Sequence, residues 1–242
     1  MKKFLRIPGR ILIGLFLLGL LLYITGKSIS GSLVDEDYNS LVTQTTAPVK
    51  ALDMRKMNMD SLEMVMGKNK IIPAEYRSQI LLALSFYPQL KNTKIEFLVE
   101  PAVIPISSRP KPSTVFYSKA NRWYCIVISN GGMEGMEEAL LENLSFDAQV
   151  GVIGHELGHT VYYKDRSSAS LVGLGIAYPF NKFRMKFERE TDRRTIEHGL
   201  GWQLLKWAEE LRPPGTSTDF LDTYYLTPEE IRLEMKKSDL YQ

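Results

Sequence analysis

Cysteine is almost absent from this chain: Cys125 stands alone among 242 residues. One thiol excludes an intrachain disulfide, a thiolate zinc cluster and a CxxC redox pair. Its place in the alternating run Trp123-Tyr124-Cys125-Ile126-Val127-Ile128 makes it a small buried side chain rather than a nucleophile. An excess of one charge is also lacking. The 30 basic and 28 acidic residues leave a formal net charge of +2, interspersed along the chain, so no nucleic-acid partner is expected. No internal repeat is visible. Histidine is scarce too: there are three, and two of them fall in one motif.

Long apolar runs are limited to Ile11–Thr25. Lys2, Lys3, Arg6 and Arg10 precede it and Lys27 follows, so the positive-inside rule keeps the N-terminus in the cytoplasm and carries the remainder across a membrane. Fifteen residues span about 22 Å as a helix, against a hydrocarbon core of about 30 Å. The length lies between a signal-peptide core and a comfortable span; an uncleaved anchor is favoured over a cleaved signal peptide. The expected organisation is a signal anchor or signal peptide over 1–30, a polar tether over 31–60 and a catalytic domain over 61–242. That domain is expected outside the cytoplasm, periplasmic or extracellular, held to the membrane by the N-terminal segment or secreted after its cleavage.

Beyond the tether, Met54, Met57, Met59, Met64 and Met66 read as an adaptable helical packing face rather than a thioether copper site. Pro73 to Tyr87 has the period of a helix, and Lys94–Glu100 and Arg122–Asn130 have the composition of strands. The second strand is either interior or the rim of a cleft where an extended substrate could add as a further strand. Pro101–Pro112 reads as an irregular edge or loop, Thr114–Ser118 as a further strand, and Glu134–Leu144 as helix. Ser167–Pro179, small and apolar, reads as a loop or short helix covering a cleft. Asn181–His198 and Trp202–Leu211 follow as helices, and Thr227-Pro228-Glu229-Glu230 opens a last one with a capping box.

The segment His155-Glu156-Leu157-Gly158-His159 carries the chemistry. Residues four apart on a helix lie one above the other, so both imidazoles can reach one Zn²⁺ at about 2.0–2.1 Å. Glu156 is turned by about 100° and stands beside the ion, where it can hold and deprotonate the attacking water. Val150, Ile153, Leu157 and Val161 form an apolar stripe on the other side, and Ser145 with Asp147 supplies a helix start. The expected helix is thus anchored in a core with its histidines facing a cleft.

A catalytic zinc site needs a third protein ligand. Asp165 lies six residues after His159, but the glycine that would make the intervening turn is replaced by Tyr162; His198 reads as a helix C-terminal residue. Glu188 and Asp192 are four apart on one face of the next charged helix, so the first can ligate while the second accepts the N–H of a ligating histidine. Glu190 points away and is expected to pair with Arg194.

The patches Leu144-Ser145 with Val152-Ile153-Gly154-His155-Glu156-Leu157-Gly158-His159, and Glu188-Arg189-Glu190-Thr191-Asp192-Arg193, resemble the gluzincin peptidases, most closely the family of the heat-shock protease HtpX and the CAAX prenyl proteases. That family's second motif is usually E-x-E-A-D-R with its first glutamate on zinc; here Thr191 replaces the alanine. This sequence lacks the array of apolar spans of the family's integral-membrane members, which favours a single-span or exported relative over prenyl-protein processing.

The expected fold is therefore α+β, a zincin-like metallopeptidase domain with an HExxH helix, a small sheet and a second ligand-bearing helix. One zinc ion would be held by His155, His159 and Glu188, with Glu156 catalytic, Asp192 behind a ligand, and a protein or peptide as substrate. His198, Tyr162, Tyr224 and Tyr225 are candidate donors to the oxyanion. Two alternatives remain: a membrane-tethered zinc-binding assembly protein without turnover, and a zinc hydrolase acting on something other than peptides.

Overall fold

The computed structural model describes residues 48, 50, 58–131 and 137–242. The apolar Ile11–Thr25 segment and most of the tether, with Met54 and Met57, lie outside them. Among the described residues no helix is long and apolar enough to cross a membrane.

The architecture is α+β. Helix α1 (Met59–Met66) precedes strand β1 (Lys70–Ile71) and helix α2 (Arg77–Ser85), followed by β2 (Lys94–Glu100), β3 (Ile106–Pro110) and β4 (Trp123–Ser129). Helices α3 (Phe146–Lys164), α4 (Ser168–Ala177), α5 (Asn181–Thr195), α6 (Gly201–Glu210), α7 (Asp219–Tyr224) and α8 (Pro228–Lys237) complete the chain. The strands form one mixed sheet in the order β1-β2-β4-β3. β1, β2 and β4 run parallel, and β3 runs antiparallel to β4 at the edge, with Ser108 opposite Ile126.

β4 is thus interior, which explains its burial from Tyr124 to Ser129, and the rim belongs to β3. Proline is tolerated there because an edge strand need not donate on its outer side. Lys111 N–H bonds the Trp123 carbonyl and Ser129 N–H bonds the Pro105 carbonyl. By the alternation of an antiparallel ladder, Ile106, Ser108 and Pro110 turn their backbone groups outward. The strand expected over Thr114–Ser118 does not form. After Lys111 the chain turns, Thr114 N–H bonding the Lys111 carbonyl, and Pro112–Thr114 is a single 3₁₀ turn.

The helix expected over Glu134–Leu144 is replaced, among its described residues, by two 3₁₀ turns, Glu137–Ala139 and Leu141–Asn143. The carbonyls of Leu141 and Leu144 accept instead from the buried Gln149 amide, at 2.8 and 3.0 Å. The methionine reading is only partly met: Met66 is buried but Met64 is 82% exposed. The N-terminal cap of α3 is as expected, the Ser145 hydroxyl accepting from Ala148 N–H. The Thr227 capping box also forms.

α3 departs from a one-sided amphipathic helix: every residue from Ala148 to Tyr163 is buried. It runs through the middle of the molecule, with α2, β3, α5 and α6 packed around it. Val150, Ile153, Leu157 and Val161 join the main core with α2, the sheet and α6. Its glycines allow close crossing elsewhere: a Cβ on Gly151 would stand 2.3 Å from the Gln203 carbonyl oxygen, and one on Gly154 would meet Leu200 at 2.5 Å.

α5 ends at Thr195 and passes through a π turn, Ile196–Leu200, in which Gly199 takes φ 94°. That left-handed conformation suits glycine. Tyr241 secures the turn, its hydroxyl donating to the Ile196 carbonyl and accepting from Gly201 N–H, both at 2.7 Å. His198 is buried in the same region, stacked on Tyr87 with centroids 4.3 Å apart and bonded through Nδ1 to the Arg194 carbonyl.

The α3–α6 crossing gives a direct test. Alanine improves helix propensity over glycine by about 1 kcal/mol, but a methyl pressed into a backbone carbonyl costs more. Gly151→Ala is expected to lose about 3 kcal/mol in urea unfolding, as overpacking does; an unchanged midpoint would contradict the crossing geometry.

Candidate metal centre

α3 and α5 cross with His155, Glu156, His159, Glu188 and Asp192 all buried between them and their neighbours. One ligand atom each from His155, Glu156 and His159 lie within 4.8 Å of one another, and this group could hold a metal ion. Glu188 joins it from α5: its Oε2 is 3.1 Å from His155 Nε2 and 3.1 Å from His159 Nε2.

Both imidazoles have partners on their far side. His155 Nδ1 is 2.8 Å from Asp192 Oδ1, and the other Asp192 oxygen accepts Leu226 N–H at 2.8 Å. An ionised carboxylate only accepts, so His155 Nδ1 carries a proton. His159 Nδ1 is 3.2 Å from the Thr191 hydroxyl, which donates its proton to the Phe187 carbonyl at 2.9 Å and is left to accept. In the neutral rings, both Nε2 atoms therefore aim lone pairs at a carboxylate oxygen. Such contacts are repulsive unless a proton or a metal ion sits among the three atoms. Tetrahedral ligands about 2.0–2.1 Å from a zinc ion are about 3.3–3.4 Å apart, close to the spacing found, so the donor set fits a metal.

Burial disfavours a charged His155, but the hydrogen bonds and charges of Asp192 and Glu188 outweigh it and hold its pKa up to about 10. Burial also opposes ionisation of Glu188, yet His159 and His155 hold its carboxyl well below the usual range. Glu156 is raised, chiefly by burial, with the two imidazoles and a backbone hydrogen bond from Ser108 opposing. One Glu156 oxygen, Oε2, is buried with no hydrogen-bond partner. The Ser108 side chain is tied to Thr160 at 2.9 Å, so edge strand β3 is fastened to α3 beside that carboxylate.

The structure brings together all five sequence-chosen residues and separates the rejected ones. Asp165 caps the end of α3 and pairs with Lys164. His198 is held below its ordinary value, to about 4, by burial, and its Nε2 meets Gln89 at 2.6 Å. Tyr224 donates to Asn181 at 3.0 Å, which occupies its hydroxyl. Tyr162 lies under the Arg166 guanidinium, while the Tyr225 ring packs 5.7 Å from that of His155. Glu190 pairs with Arg193 at 2.9 Å rather than with Arg194, whose side chain is buried against α3 and bonds the Gly158 carbonyl.

Three contributors have little signal in the sequence: Thr191, Ser108 and Tyr178, whose hydroxyl donates to Glu188 Oε1 at 2.7 Å. Only Thr191 could have been found, since it lies three residues after Glu188 and four before Thr195 on a common helical face. Comparison with known proteins finds no matching family model, no significantly similar curated protein and no significantly similar solved structure.

With a pKa of about 10, His155 carries a second proton at pH 7 in the metal-free chain. That shift contributes stability in full below the ordinary 6.5 and loses it as pH rises toward 10. Divalent metal must displace this proton. Calorimetric titration at pH 7 in buffers of different ionisation enthalpy should show release of about one proton per metal bound; a heat independent of the buffer would contradict the charge balance of the site.

Proposed function

We propose that this chain is a zinc-dependent peptidase with a zincin-like fold, hydrolysing peptide bonds of protein substrates outside the cytoplasm. The observation that carries the reading is the meeting of His155 Nε2, His159 Nε2 and Glu188 Oε2 at 3.1 Å contacts, with an unpartnered Glu156 oxygen beside them. His155, His159 and Glu188 would hold one zinc ion. Glu156 is within reach of the same group, but the equal distances from Glu188 to both imidazoles favour Glu188 as third ligand and leave Glu156 free to act on a proton.

Bound there, zinc would supply Lewis acidity to the scissile carbonyl and lower the pKa of water toward about 7. Glu156 would take a proton from the attacking water and pass it to the leaving amine. Its raised pKa suits that exchange, because a base nearer neutrality both accepts and returns a proton readily. Ser108 holds the carboxylate from one side through its backbone. Asp192 fixes the His155 tautomer and Thr191 that of His159.

A polypeptide substrate is favoured by β3. Ser108 already spends its outward N–H on Glu156 and its carbonyl on Tyr163, so an extended chain would pair with the outward backbone of Ile106, one step along the same edge, and pass the site from there. The N-terminal apolar segment with its basic flank would anchor the domain to the membrane and place it on the far side.

Two substitutions separate ligand from base. Glu188→Ala should abolish stoichiometric zinc by elemental analysis while Glu190→Ala retains it; the reverse pattern would reassign the ligand. Glu156→Gln should keep zinc and fold but slow peptide hydrolysis by about two to four orders of magnitude, since an amide cannot accept the proton. Equal turnover by the two proteins at matched zinc occupancy would refute the mechanism, and a wild-type chain that binds zinc but cleaves no peptide would favour the assembly alternative.

A further inference from the structure

The Tyr178 hydroxyl touches the far oxygen of Glu188, donating to Oε1 at 2.7 Å, while Oε2 faces the two imidazoles at 3.1 Å. It is fixed from several sides. Its backbone closes α4, with N–H bonded to the Leu174 carbonyl at 2.9 Å. Its ring stands edge-on to Phe187, the residue before Glu188, at 6.3 Å and 89°. The residue as a whole is 36% exposed, yet its hydroxyl is spent on a carboxylate of a residue that is 3% exposed.

A carboxylate can bind a metal through one oxygen or chelate it through both. Chelation requires both oxygens to approach the ion. An O–H donor seated on one of them competes for its lone pairs and holds it away, since moving that oxygen to the metal would strip a charge-assisted hydrogen bond from a buried group. The Glu188 terminal torsion does not by itself enforce the choice, because its rotation is broad.

We propose that Tyr178 is a positioning residue that restricts Glu188 to one-oxygen ligation. This rests on the metal reading above and extends it: three protein ligand atoms leave a fourth, open position, whereas a chelating Glu188 would crowd it. Tyr178 therefore governs coordination number, through a helix that carries none of the ligands.

The test is Tyr178→Phe in the full chain, loaded with Zn²⁺ for X-ray absorption and with Co²⁺ for visible spectroscopy. Phenylalanine keeps the ring against Phe187 and removes only the donor, so the fold should persist. The zinc site is expected to go from four-coordinate to five-coordinate, the Co²⁺ absorption to weaken accordingly, and zinc affinity in chelator competition to fall about 10–100-fold, as for other residues that orient a ligand. An unchanged coordination number, whatever the affinity, overturns the proposal and leaves the metal reading standing. A wild-type chain that binds no zinc overturns that reading and this inference with it.

Discussion

Three electron-rich atoms brought together in a buried place are the constraint around which the centre of this molecule is arranged. Two imidazole nitrogens and a carboxylate oxygen at 3.1 Å contacts repel one another unless a proton or a metal ion lies among them. The protein makes that arrangement by holding each group from behind. Asp192 grips His155, Thr191 grips His159, and Tyr178 grips Glu188. Each of these partners removes a rotation that would let the lone pairs turn apart, which is how outer groups commonly preserve a metal site.

The packing serves the same end. α3 lies at the centre with sixteen successive buried residues, Ala148 to Tyr163. Close approach on its glycine-bearing side lets α5 and α6 pack at backbone distance, which brings Glu188 within a hydrogen-bond length of both histidines. The Asp192 carboxylate ties the site onward to the Leu226 amide. The same C-terminal segment is clasped by Arg189, which bonds the Tyr225 carbonyl and pairs with Glu230. Helix α8 is thus connected to the histidines by a short chain of polar contacts, although it contributes no ligand.

On the other side of α3, the sheet contributes through its edge. Ser108 gives its backbone to Glu156 and its hydroxyl to Thr160, while its carbonyl accepts from Tyr163 at 3.4 Å. One residue of β3 thereby sets both the distance between sheet and helix and the environment of the carboxylate that we propose as the base. Burial raises Glu156, and the unpartnered oxygen is the group in this centre best placed to exchange a proton.

The sequence by itself determined the local pieces. Helical spacing placed His155 above His159 and Glu188 near Asp192; the Ser145 and Thr227 caps and the strands around Lys94–Glu100 and Trp123–Ser129 followed from residue chemistry that acts over a few positions. The sequence also placed Glu188 and Asp192 on one face, because four-residue spacing is a property of any helix. What tertiary structure alone decided depends on groups distant in the chain. Glu134–Leu144 is not one helix among its described residues because Gln149 takes its carbonyls, and β3 forms where prolines discouraged a strand because its outer edge need not bond a neighbour. Arg194 turns inward because α3 offers it a carbonyl. Tyr178 and Ser108 left no trace in any periodicity, since a hydroxyl ten residues from Glu188 and a backbone amide from another layer reach the site only through the packing of whole elements. Local spacing could choose the candidate ligands; only the packed interior could choose what holds them.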